Sequence, residues 1–319
     1  MPSVDALEPT QAPAVTPIPP RSHTPQQDRR RARVVRWLQL GWTLPALAFY
    51  GIFALYPVAQ GFRYSFYDFD GITRATFVGL DNYRRVLTEP HLFGSIIHSF
   101  ILLLFYAVIP IMIGLLSAAV LRDLPPGRFS AFARVLIFVP QVMPLVGAAV
   151  VWKWMYSSEG PINAFLELIG RDDLSRAWLA DFTWALPAVG IIGSWLSAGF
   201  ATIFFLAGLG RIPSELYDAA KIDGAGAIRE FTTVTLPGLR HEMLVVSTLS
   251  AISALSTFDV INVATNGGPG YSTMVPAVLV VRLAFTENQV GLGSALGIIL
   301  MVVVLAIIVP MQRTLRAAR

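Results

Sequence analysis

The chain has 319 residues, 55% of them hydrophobic and 14% charged, with a mean hydropathy of +0.61. Those values are too apolar and too charge-poor for an ordinary soluble domain. With no cysteine, disulfides, thiolate metal sites and cysteine nucleophiles are excluded. The net charge of +4 is informative mainly in its distribution. Residues 1–28 hold seven of the 22 prolines and no apolar period, which predicts a disordered tail over 1–36. Arg29, Arg30, Arg31, Arg33 and Arg36 close that tail, and 26 uncharged residues follow over 37–62. That run is longer than a signal-peptide core and lacks a clear small-residue cleavage site, so it reads as a membrane span.

A helix needs about 20 apolar residues to cross the hydrocarbon core. Further uncharged runs at 99–121, 135–152, 182–210 and 288–312, with one at 243–264 interrupted by Asp259, predict six transmembrane helices over 37–312 and a C-terminal tail over 313–319. With both termini in the cytoplasm, the tails and the loops 122–134 and 211–240 carry 16 of the 24 Lys and Arg residues, the distribution the positive-inside rule requires. Trp152, Trp154 and Tyr156 around Lys153 read as an interfacial aromatic belt.

Three spans carry unusual residues. Pro140 and Pro144 flank Gln141 in the third and predict a kink, whether in a moving helix or a static one. In the fifth, Ser247, Ser250, Ser253 and Ser256 recur every three residues and lead to Thr257 and Asp259. Such a stripe fits close helix packing, and it also fits a translocation path; Gln141, Ser250, Ser253, Ser256 and Asp259 are the candidates for the second reading. His98, near the end of the second span, is expected to be packed or interfacial.

Residues 212–237, IPSELYDAAKIDGAGAIREFTTVTLP, form a polar segment between two very apolar ones. Pro213 and Ser214 mark a helix start, with the serine hydroxyl as a cap, and Glu215 and Asp218 suit the positive end of its dipole. Gly224 permits a sharp bend. A second helix is expected over 225–234, ended by Pro237. The residues alone fit either a solvated loop or a docking element.

The chemistry of catalysis is missing. There is no G-x-x-x-x-G-K-[ST] phosphate loop, no H-E-x-x-H and no G-x-S-x-G, and the four histidines are scattered. Basic residues lie beside spans, and nothing suggests nucleic-acid binding.

The 212–237 segment resembles the cytoplasmic EAA loop of permease subunits of binding-protein-dependent ABC importers. Asp218-Ala219-Ala220 stands for E-A-A, Gly224 for the glycine, and Val234, Leu236 and Pro237 for I-x-L-P, with every interval kept. Three further stretches are similar to the carbohydrate-uptake branch of maltose, glycerol-phosphate and lactose type. They are TLPALAFYGIFALYPVAQGFRYSFYDFD with FVGLDNYRRVL, GPINAFLE, and FDVINVATNGGPGYST. The resemblance implies an all-α membrane protein of the type I importer kind, six spans with a cytoplasmic helix-turn-helix coupling loop, in the cell (inner) membrane. It implies a permease that moves a sugar or oligosaccharide by alternating access, with an ABC permease for another solute and an ion-coupled carrier as alternatives. The implied partners are a second homologous permease, two ATPase subunits that bind the ATP, an extracytoplasmic solute-binding protein and the lipid bilayer. No cofactor, metal or catalytic residue belongs to this chain itself. Coupling to the ATPase is implied for Glu215, Asp218, Ala219, Ala220, Asp223, Gly224, Ala225, Leu236 and Pro237. Asp218 would cap the coupling helix or pair with a basic group of the ATPase, and the two alanines would permit close approach.

Overall fold

The computed structural model describes residues 41–317; the proline-rich tail, its arginine cluster, the start of the first span and residues 318–319 lie outside the described residues. The chain divides into two compact units, Met1–Pro57 and Val58–Arg319. Of the first, residues 41–57 are described. They open the apolar helix α1 (Gly41–Tyr64) and none of them is buried.

In the second unit, a two-residue hairpin of β1 (Tyr67–Asp68) and β2 (Thr76–Phe77) is followed by α2 (Asp81–Thr88) and α3 (Pro90–Asp123). α4 (Arg128–Val142), α5 (Leu145–Met155), α6 (Pro161–Leu168) and α7 (Ala185–Leu209) come next. α8 (Ser214–Ile222) and α9 (residues 227–238) form the polar segment. α10 (Arg240–Leu255), α11 (Asp259–Ala264), α12 (Pro276–Phe285) and α13 (Val290–Ala317) complete the chain. Among the described residues five stretches are long and apolar enough to cross a membrane, α10 and α11 together (Arg240–Ala264) making one of them, and six if the bent pair α4 and α5 counts as another. Apart from the hairpin, the architecture among the described residues is all-helical.

Three expected boundaries shift for physical reasons. The second span starts at Pro90, nine residues before the uncharged run, because His98 is packed inside with Nδ1 2.8 Å from the Met274 carbonyl oxygen. The third span does not kink but breaks, α4 and α5 meeting at 101° across Met143 and Pro144, which both have extended ψ. A proline disfavours helical geometry in the residue before it, so Met143 leaves the helix. The fifth breaks at 256–258, where the Ser256 hydroxyl donates 2.6 Å to the Ile252 carbonyl. The two shorter pieces, α5 and α11, pack on each other.

Prolines shape the long helices too. Three five-residue π-helical turns, Gly51–Leu55, Leu104–Val108 and Phe231–Thr235, each end two residues before a proline: Pro57, Pro110 and Pro237. In each, the residue before the proline donates five residues back: Tyr56 to Gly51, Ile109 to Leu104 and Leu236 to Phe231. A proline ring clashes with the carbonyl four residues earlier, and the wider turn moves that carbonyl aside. The helix therefore continues across Pro237, against the expectation that it stops there.

α7 is the centre of the bundle. In its most apolar window 61% of the residues are buried, against 39% for α3 and 28% for α13. Small residues allow this: Gly190 lies under the Phe105 ring and Gly193 under the Tyr106 ring, while a Cβ on Gly114 of α3 would come within 2.6 Å of the Ala201 Cβ. Close approach of this kind drives helix association in lipid, where burial of apolar area supplies no force between helices. Ser194 adds a directional contact, donating 2.6 Å to the Phe105 carbonyl. In a π-helical turn that carbonyl would accept from residue 110, which is proline and has no N–H.

Ser194→Ala should therefore leave a buried carbonyl unpaired and cost about 1–3 kcal/mol. In a Pro110→Ala background, where a backbone donor returns, the same substitution should cost clearly less. Thermal unfolding of the four-member cycle in detergent measures this; equal costs in both backgrounds would refute the account.

Candidate coupling site

The polar segment folds as two helices joined by a left-handed glycine. α8 begins at Ser214 with Pro213 at the cap position and no side-chain capping bond, so the expected serine cap is not formed. Asp218 is the fifth residue of α8, beyond the orphan amides of the first turn, which removes a capping role as well. Gly224 has φ +73°. Around it the Ala225 amide donates to the Ala220 carbonyl at 2.9 Å and the Gly224 amide to Lys221 at 3.0 Å. This crossed pair, six-to-one around five-to-two, is the Schellman arrangement that closes a helix on a residue with positive φ. A Cβ at 224 would meet no atom within 4 Å. The glycine is needed for backbone conformation, not for space.

Exposure separates the predicted residues. Glu215, Asp218, Ala219, Asp223, Gly224 and Pro237 are exposed, while Ala220, Ala225 and Leu236 are half-buried. Ile222 is 85% and Leu216 52% exposed beside them. An apolar side chain as bare as Ile222 on a polar, ordered helix is the kind of feature found where a partner sits. α8 is held from behind by Tyr217, buried to 8%, whose hydroxyl lies 3.2 Å from the Thr235 hydroxyl of α9.

Five residues outside the expected set complete the site: Arg122, Asp123, Glu230, Arg211 and Glu242. Arg122, at the end of α3, places its guanidinium carbon 4.2 Å from the centre of the Tyr217 ring. The same group donates to Asp123 at 2.9 Å and to Glu230 of α9 at 3.2 Å. At the base of the segment, Arg211 reaches Glu242 of α10 at 3.2 Å. Glu242 is buried in a space that a Cβ on Gly208 would occupy. Glycine 208 and an acid at the head of a span are individually common, so the sequence carries no signal for that pair. Arg122 reads from sequence as one flanking charge among many.

The residues suggested for a substrate path are not brought onto one face. Ser250 is buried, Ser253 and Ser256 are exposed, and Asp259 is half-buried at the start of α11. Steps of three residues turn the direction by about 300°, so the stripe winds around the helix. Gln141 is exposed near the end of α4, just before the break. The expected aromatic belt also divides. Trp154 and Lys153 are exposed, whereas Tyr156 is buried and its ring packs 5.2 Å from that of Trp152, which in turn meets Trp195 at 5.6 Å. The GPINAFLE stretch is anchored by Asn163. Its amide donates to Ser157, Ser158 and Arg176 carbonyls and accepts from the Arg176 amide and the Trp178 indole.

Comparison with known proteins bears on this geometry. The family model "binding-protein-dependent transport system inner membrane component" matches residues 110–316. The trehalose/maltose transport system permease protein MalF of Thermococcus litoralis is 34% identical over 268 residues, 82% of this chain and 88% of its own. The sulfoquinovosyl glycerol transport system permease protein SmoG of Agrobacterium fabrum is 31% identical over 296 residues, 89% of this chain and 94% of its own. The fold is similar to a chain of a bacterial ABC transporter involved in the import of the acidic polysaccharide alginate. The TM-score is 0.76 at 23% identity, covering 91% of this chain and 99% of that one. The chain belongs to the family of binding-protein-dependent transport system inner membrane components, the multi-pass permeases of ABC importers.

Proposed function

We propose that this permease carries a sugar, oligosaccharide or sugar-like solute into the cell by alternating access, driven by ATP that separate subunits bind and hydrolyse. The observation that carries the reading is the exposed, glycine-jointed pair α8 and α9, with Ile222 and Leu216 bare beside Glu215, Asp218, Ala219 and Asp223. Two ATPase subunits dock on this loop and its counterpart in a second, homologous permease, and an extracytoplasmic binding protein delivers the solute. Asp218 pairs with a basic group of the ATPase, Ala219 and Ala220 allow close approach, and Gly224 fixes the angle at which α8 hands its motion to α9. That α9 runs through Leu236 and Pro237 almost directly into α10 supports this transmission. Nucleotide and the loaded binding protein then shift the population toward the outward-facing state.

Saccharide cargo is supported by relatives whose names specify trehalose, maltose and a sulfoquinovosyl glycerol. Gln141, Ser250, Ser253, Ser256 and Asp259, close in sequence to the breaks in the third and fifth spans, are the residues of this chain we assign to the solute path. Both termini lie in the cytoplasm in this reading, the tail 1–36 and the end of the chain flanking the permease domain.

Two measurements test it. Because the chain has no cysteine, single cysteines report sidedness without background. Ser214→Cys should react with an impermeant maleimide from the cytoplasmic side and Ser158→Cys from the outer side; the reverse pattern refutes the orientation. In reconstituted vesicles with the partner subunits, Gly224→Val should cut ATP-driven uptake about tenfold, since a β-branched residue in left-handed backbone is disfavoured by about 1–2 kcal/mol. Gly224→Asn, which tolerates that conformation, should stay within about twofold. Equal uptake by both variants would remove the glycine from the mechanism.

A further inference from the structure

We propose that Arg122 is a positioning residue through which the two-helix loop drives the second span, α3. The proposal rests on the coupling reading above and adds a route that the chain connectivity does not supply. Covalently, the loop joins α7 through Arg211 and Ile212, and α10 through Leu239. α3 is remote in sequence, yet its last turn holds both loop helices at one point. The guanidinium stacks on Tyr217, the residue α8 buries, at 4.2 Å. Its terminal nitrogen pairs with Glu230 of α9 at 3.2 Å. Tyr217 and Thr235 close the triangle between the helices. The Arg122 and Glu230 side chains keep 28% and 14% of their exposure, so water competes little for the pair.

Arginine suits this place because its planar group can stack and donate in the plane at the same time, which a lysine ammonium cannot. The nearby Asp123 carboxylate, 2.9 Å from Nε, fixes the plane. A shift of α8 then moves α3 as well. The π-helical turn at Leu104–Val108 is the first irregular point α3 offers above that end, and it touches both α7 and α10. Motion delivered at Arg122 therefore arrives where three spans meet.

The test uses the whole importer, reconstituted with its ATPase, second permease and binding protein, and reads uptake per ATP hydrolysed together with subunit co-purification. Wild-type uptake that requires no ATPase would sink the importer reading itself and is checked first. Given ATP-driven uptake, Arg122→Gln should keep the complex together and lower uptake per ATP roughly tenfold, within the range of allosteric couplings. Glu230→Gln should lose a similar factor, and the double variant should lose no more than Arg122→Gln alone. Losses that multiply in the double variant would mean two independent structural roles and overturn the proposal. Should Arg122→Gln fail to assemble, Glu230→Gln decides, because it leaves the arginine on Tyr217. Wild-type uptake per ATP in that variant overturns the relay.

Discussion

The hydrogen bond from Ser194 to the Phe105 carbonyl states the problem the whole bundle has to solve. In hydrocarbon no water is available to pair a backbone carbonyl, and an unpaired one costs several kcal/mol. This chain nonetheless places prolines in or beside most of its spans. Each removes a donor and displaces a carbonyl. The answer at Pro110 is a π-helical turn, which moves the carbonyls aside, and a serine from the neighbouring helix, which pairs one of them. The serine can reach because Gly190 and Gly193 let α7 lie against the Phe105 and Tyr106 rings. Small residues, proline and hydroxyl thus form one device, and α7 becomes the central helix because it carries the glycines and the serine.

The same constraint explains why two spans break. Pro144 drives Met143 out of helical geometry, and the fifth span opens at 256–258. Exposed to lipid, these openings would be untenable. Here α5 and α11, the short pieces beyond the two breaks, pack together with Ala148, Ala149, Val260, Ile261 and Ala264 buried in one core. Irregular backbone within a membrane protein is tolerated where protein or a wet cavity surrounds it, and the broken segments are where transporters hold solutes.

What the sequence made legible follows from what is local. Uncharged runs located the spans, because hydropathy acts on each residue without regard to neighbours. Gly224 was readable as a bend, because positive φ penalises every residue with a Cβ. Helix ends were less so: Pro237 looked like a stop and is a bump the helix passes over, since a five-residue-back hydrogen bond can absorb a proline. The serine repeat reads as a slowly rotating polar stripe and does wind around α10, because a three-residue period is not the helical period. Contacts between distant segments were illegible. Arg122 and Glu230 are 108 residues apart, Arg211 and Glu242 are 31 apart, and nothing in either pair's flanks announces the partner. Glu242 carries no such signal because its burial depends on Gly208, the penultimate residue of another helix.

The loop and the bundle differ in the kind of force that holds them, and that difference bears on how an importer can cycle. In the bundle, α3 and α7 interlock through apolar and small residues at close-packed distances, where any shift loses many contacts at once. At its base the loop joins a small apolar cluster through Leu239, with Ile212, Phe231 and Leu236 against it. α8, however, buries only Tyr217, and the rest of the loop's attachment is polar: a stacked arginine, two ion pairs and a hydroxyl pair. Each of these polar contacts is individually weak where water has access, yet each is directional. A mount of that kind resists small displacements, releases under a larger load, and re-forms without repacking a core. Rigid spans with a polar mount at one end can therefore move as bodies, which alternating access requires, while the bundle that must exclude water stays closed.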